Sequence, residues 1–183
     1  MRVKTIMATL VALLLTVAIG CTSNKASTPD VKDQVTKVLD SAGYKDLKVA
    51  VNHDKELLTL TGDVKTQEDK NRAEELAKTA AAGYVVADEI GVRPDGNESS
   101  ARKIDSNLDS AIEKDFKAAI IANRMEKQHI RFDAKNGVLT LKGDVDNASQ
   151  RAQVEKLAAD VPNVQQVVNE LDVKGAKKKP SGI

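Results

Sequence analysis

Leu57-Leu58-Thr59-Leu60-Thr61-Gly62-Asp63-Val64 recurs as Val138-Leu139-Thr140-Leu141-Lys142-Gly143-Asp144-Val145, at an offset of 81 residues with six of eight positions identical. The offset holds without a gap on both sides of the phrase. Upstream, Val31, Val35, Leu39, Val49 and Val51 fall on Ile112, Phe116, Ile120, Ile130 and Phe132. Downstream, Leu76, Ala77, Val86, Ile90 and Val92 fall on Leu157, Ala158, Val167, Leu171 and Val173. Apolar positions kept in step over a whole module mean a duplicated supersecondary unit. The chain therefore folds as two copies of one small domain.

Each copy reads as helix, two strands, helix, strand. In the first, Val31, Val35, Val38, Leu39 and Ala42 recur at helical spacing behind Pro29 and ahead of Gly43. Leu47, Val49 and Val51 alternate with polar residues, as do Leu58 and Leu60, giving two half-buried strands joined through His53-Asp54-Lys55-Glu56. Thr66 and Asp69 open a second helix striped by Ala73, Leu76, Ala77 and Ala80, and Val86, Ile90 and Val92 form the last strand. The second copy repeats the order. Leu108, Ile112, Phe116, Ala119 and Ile120 stripe its first helix, Asn136-Gly137 marks a hairpin turn, and Val154, Leu157, Ala158 and Val161 stripe its second helix ahead of Pro162. The fold class is α+β: two tandem αββαβ modules, each a three-stranded mixed sheet with one face covered by two helices. At about 65 residues a domain hides only some 60% of its unfolded surface, and the aromatic residues number four, Tyr44, Tyr84, Phe116 and Phe132. Packing of one module on the other is expected.

The segments outside the modules bear on location. Arg2 and Lys4 precede an apolar run from Ile6 to Val17, and Ala18-Ile19-Gly20 leads into Cys21, the only cysteine. Residues 1–20 read as a secretion signal, too short in its apolar run for a membrane span. The junction resembles a lipobox, which implies diacylation of Cys21; the other reading is an ordinary secretory signal with a cysteine beside its cleavage site. Two acyl chains anchor a protein stably, at about 0.8 kcal/mol per buried methylene. Thr22 in place of an aspartate favours, by analogy with lipoprotein sorting, the outer membrane facing the periplasm. Residues 21–29 are a tether and 30–93 the first module. The linker is 94–103, in the run Arg93-Pro94-Asp95-Gly96-Asn97-Glu98-Ser99-Ser100. The second module covers 104–174, and 175–183 form a basic tail holding Lys177, Lys178 and Lys179. That tail reads as a solvated charge run or as attraction to an anionic surface. Without Arg2 and Lys4 the basic residues number 26 against 27 acidic, which gives no global attraction for nucleic acid.

The Leu-x-Leu-x-Gly-Asp-Val phrase and the closing Val164-x-x-Val167-x-Asn169-x-Leu171-x-Val173 together resemble the BON family, over residues from about 30 to 174. The first copy departs from the closing phrase with Gly83, Asp88 and Ile90. With the lipobox in front, the chain is similar to dual-BON envelope lipoproteins. The resemblance implies a phospholipid-binding or envelope-associating module, tied to envelope integrity or osmotic stress tolerance.

No residue set in the sequence points to catalysis. His53 and His129 are not repeat partners, no paired-histidine spacing suits a metal, and neither a phosphate loop nor a nucleophile elbow occurs. The chain is expected to be no enzyme and to need no cofactor. Gly62-Asp63 reads as the end of the second strand, and Gly62, Asp63, Gly143 and Asp144 as structural turn residues, the glycines for a sharp turn or for lying close to a helix and the aspartates for local backbone hydrogen bonds. The sharper candidate is a difference between the copies: Ile121 stands where the first copy has Asp40. Lys114, Lys117, Ala118, Ile121 and Met125 share one helix face, with Arg124 beside it. Such a face suits anionic phospholipid at a membrane interface, or it packs on the first module. The functional expectation is a membrane-binding, lipid-anchored envelope protein. The rival is a periplasmic protein-interaction adaptor without lipid affinity.

Overall fold

The computed structural model describes residues 30–126 and 129–175; the signal segment, Cys21, the tether and Lys177–Lys179 lie outside them. The element order is α1 (Val31–Ser41), β1 (Lys48–Asn52), β2 (Leu57–Val64), α2 (Gln67–Ala80), β3 (Val85–Val92), α3 (Glu98–Ala122), β4 (His129–Lys135), β5 (Val138–Val145), α4 (Ala148–Ala159) and β6 (Gln166–Val173). This is the expected αββαβ unit, twice. In each sheet the central strand pairs antiparallel with the strand before it and parallel with the strand after its crossover helix, in the orders β1-β2-β3 and β4-β5-β6.

Three of the four helices, α1, α2 and α4, begin where a polar side chain satisfies a free N–H group. Asp30 accepts from Lys32 N at 3.0 Å and Thr66 Oγ1 from Asp69 N at 3.1 Å. At the repeat partner of Thr66, Asn147 accepts from Gln150 N at 2.9 Å. The apolar stripes then meet one sheet face. Val35, Leu39, Ala73 and Ala77 pack on Leu58, Leu60 and Val64 in the first module. Ile112, Phe116, Val154 and Ala158 pack on Leu139, Leu141 and Val145 in the second. Phe116 meets Phe132 edge-on, with centroids 5.0 Å apart, a contact that the first module has no phenylalanine to make.

Three expectations need correction. Gly62 and Gly143 do not end their strands: β2 and β5 run through the Gly-Asp pairs to Val64 and Val145. Both glycines have positive φ, +129° and +111°, and both lie against the neighbouring strand's backbone or its approach. A Cβ on Gly62 would sit 2.9 Å from Leu47 Cδ2 and 3.1 Å from Asp46 O, and one on Gly143 would collide with the His129 carbonyl oxygen. They are close-approach positions inside strands, not turns. Second, the span read as linker is helical from Glu98 onward, so α3 is 25 residues long against 11 for α1. Third, Leu108 is 40% exposed, because this added length carries it away from the sheet that buries Ile112 and Phe116.

The sheet faces left bare by the helices bury each other. Leu57, Ala87, Val138 and Val168 form a separate apolar cluster. It consists of two repeat pairs, Leu57 with Val138 and Ala87 with Val168. The surrounding polar contacts obey the same relation. Lys55 Nζ donates to Glu170 O at 3.3 Å, while the repeat partners Asn136 and Glu89 meet through Nδ2 and O at 2.7 Å. The duplicated modules thus dock about an internal two-fold, using the same patch on both sides.

Candidate functional site

α3 presents the face singled out in the sequence. Ile121 is 54% exposed, and Lys114, Lys117, Ala118 and Arg124 around it are exposed as well. The module contact is made elsewhere, so Ile121 does not pack on the first module. On the helix, positions −7, −4 and −3 from Ile121 are Lys114, Lys117 and Ala118, and Arg124 follows in the reversal after the helix, its N–H donating to Ile121 O at 3.0 Å; none of the four is acidic. Met125 is not part of the face. The helix stops at Ala122, Arg124 takes a left-handed φ of 57°, and the reversal turns Met125 into the second core, where it is 6% exposed. Helical spacing ceases to describe direction once the helix has ended.

At the module boundary the structure brings together residues that the sequence reading left unassigned. Arg93, immediately after β3, is 9% exposed. It donates from Nη1 to Val92 O at 2.9 Å, pairs with Asp105 of α3, and reaches Asn136 Oδ1 from Nη2 at 3.4 Å. Its Nε lies 3.3 Å from Asp63 Oδ1 without hydrogen-bond geometry, while Arg102 holds the other Asp63 oxygen at 2.9 Å. Asp63 is therefore an ion-pair partner, not a local backbone acceptor; its repeat partner Asp144 is exposed. Asp109 takes both N–H groups of the Asn136-Gly137 turn, at 3.0 and 3.1 Å. These groups line clefts of about 410 and 520 Å³ on the two sides of α3.

Gln166 completes the boundary. Its carboxamide donates to Val86 O at 2.7 Å and accepts from Asp88 N at 3.1 Å, covering the outer edge of β3. Beside it, Asp88 is buried with Lys70, whose ammonium donates to Ile90 O at 2.9 Å and stands 3.9 Å from the carboxylate. Burial raises the Asp88 carboxyl above its ordinary range, and the opposing pull of Lys70 does not cancel it. His53 contacts Tyr84 Oη at 2.8 Å, and no group of three His, Cys, Asp or Glu among the described residues could hold a metal ion. Among the signals available in sequence, the repeat alignment could have exposed Gln166, since its partner is Val85. Arg93 gave none, because a lone arginine before a proline looks like any linker residue.

The BON domain family model matches residues 27–94 and 108–175. The chain is 29% identical over 138 residues to Osmotically-inducible protein Y of Escherichia coli (strain K12), covering 75% of this chain and 67% of that protein. Two solved structures of CdsD, a structural protein of the Type III secretion system of Chlamydia trachomatis, match at a TM-score of 0.32 each. One, its C-terminal domain, is 14% identical and covers 79% of this chain and 98% of that one. The other is 13% identical and covers 75% and 89%. The family pattern occurs twice, and each occurrence coincides with one sheet and its two covering helices; the protein belongs to the BON-domain family.

Proposed function

We propose that this is a lipid-anchored periplasmic protein whose second BON module rests on phospholipid at the inner surface of the outer membrane. It supports envelope integrity or osmotic tolerance by binding and not by catalysis. The observation that carries the reading is Ile121, a large apolar side chain left 54% exposed among Lys114, Lys117 and Arg124. An apolar residue ringed by cations inserts below the headgroups while the cations meet anionic lipid, each basic residue contributing about 1 kcal/mol near such a surface. The name of the Escherichia coli relative, with its reference to osmotic induction, is in keeping with a stress role, and the lipobox-like junction at Cys21 supplies the anchor.

Co-sedimentation of residues 22–183, without the signal segment and Cys21, with phosphatidylglycerol vesicles tests the contact. Ile121→Asp is expected to abolish pelleting without changing the melting temperature, whereas Met125→Ala lowers the melting temperature by removing a buried side chain worth about 2–5 kcal/mol. A chain that never pellets with anionic vesicles, yet is folded, supports the adaptor reading instead. Fractionation of cells carrying the wild-type chain tests the anchor, and wholly soluble protein would sink it.

A further inference from the structure

We infer that the outer edge of β6 is a self-association surface, on which a second copy of this chain docks by antiparallel strand pairing. The edges of β3 and β6 are related by the internal two-fold but are not treated alike. In β3, Val85 N and Arg93 N bond inward to Glu56 O and Val64 O, so residues 86, 88 and 90 turn their backbone outward. Four of those six groups are covered: Val86 O and Asp88 N by Gln166, Ile90 N by Asp88 Oδ1 at 3.1 Å, and Ile90 O by Lys70. In β6, Gln166 N and Lys174 N bond inward, which turns 167, 169 and 171 outward. Arg151 covers Asn169 O at 3.0 Å, and Asn169 Oδ1 covers Leu171 N at 3.1 Å. The partner of Gln166 on this side, however, is Val85, a hydrocarbon side chain 54% exposed that offers no hydrogen bond. No side chain among the described residues covers Val167 O or Asn169 N.

This acceptor and donor flank a single residue, Val168. An antiparallel strand related by a two-fold axis through Val168 supplies its own Asn169 N–H to Val167 O and takes the reciprocal bond, so the free pair is complementary to itself. The charges beside it have the same property. Arg151 and Glu155 both contact Asn169, the latter through Oε2 at 2.8 Å. They stand one turn apart on α4 with opposite signs. Reversing α4 across the axis sets each Arg151 toward Glu155 of the second copy, and the apolar Val85 is available for burial in the contact.

Sedimentation equilibrium of residues 22–183, without the signal segment and Cys21, tests this. A reversible dimer is expected. Val85→Gln, which gives the first module its own counterpart of Gln166 and covers the β6 edge from within, weakens it at least about tenfold while the melting temperature holds or rises. Arg151→Glu weakens it similarly, and Arg151→Glu with Glu155→Arg restores it, since the double swap keeps the pair self-complementary. A chain that stays monomeric up to about 1 mM, or a dimer indifferent to Val85→Gln and to the charge swaps, overturns the proposal.

Discussion

Asp88 and Asn169 make the same bond in the two modules: each side-chain Oδ1 accepts from the backbone N–H two residues on, that of Ile90 and of Leu171, at 3.1 Å in both. At this position the departure of the first copy from the closing phrase is thus a change of charge and not of geometry. It has a consequence for stability. Burial holds the Asp88 carboxyl above its unfolded value, so the folded state binds the proton more tightly than the unfolded chain does. Stability from this group is fully present below the unfolded value and is lost as pH rises through the folded one. Asparagine keeps the acceptor for Ile90 N without the buried charge, and Lys70 keeps its bond to Ile90 O. Asp88→Asn is therefore expected to raise the melting temperature at pH 7, and the gain should shrink as pH falls through the folded value and Asp88 itself becomes neutral. Melting curves of both proteins across pH check this; a variant less stable at pH 7 would mean that the 3.9 Å pair with Lys70 outweighs the cost of burial.

The two Gly-Asp glycines should differ in their tolerance of a methyl group. Alanine at either site pays roughly 1–2 kcal/mol for a left-handed backbone. At Gly62 the nearest atom is the movable end of Leu47, whereas at Gly143 it is the fixed carbonyl oxygen of His129. Gly143→Ala is expected to cost more than about 3 kcal/mol, and Gly62→Ala less. Gly83→Ala, with positive φ but nothing within 4 Å, isolates the backbone part. Denaturant titration of the three variants gives the order directly.

The duplication, both sheets and nearly every core position were legible because apolar side chains repeat with the period of their element and the two copies check each other. Thr66 and Asp69 could be read as a helix start because capping is local chemistry. What could not be read depends on where modules meet. Leu57 and Val138 sit in the signature phrase, but the phrase does not say that their face is shared. Leu108 has the spacing of a core residue and loses its sheet only because α3 is longer than α1. Met125 keeps helical spacing beyond a helix that has already ended, and the reversal at Arg124 has no signature in composition. In the Gly-Asp pairs, period and propensity do not separate a turn from a close approach of one strand to the next.

Arg93 ties three elements together, and its loss should be felt at the boundary before it is felt in either core. Truncation to methionine keeps the stem but leaves Asp63 with only the exposed Arg102 and leaves Asp105 without its buried partner. Removing one member of a buried ion pair costs about 3–5 kcal/mol; Asp63 and Asp105 are about one-third exposed, so water recovers part of this and about 2 kcal/mol is expected. Asn136 also loses the guanidinium beside its Oδ1, which slackens the turn that donates to Glu89 O. Of the contacts given up, those to Asp105 and Asn136 lie between modules and that to Asp63 lies within the first, while Leu60, Ile90, Leu139 and Phe116 are untouched. The expected result for Arg93→Met is a melting curve that broadens or splits into two transitions, with amide exchange faster at Ala87 and Val168 than at Leu60 or Leu141. A single sharp transition shifted as a whole would mean that the boundary and the two cores melt as one unit, and that Arg93 contributes to overall stability without governing the docking of the modules.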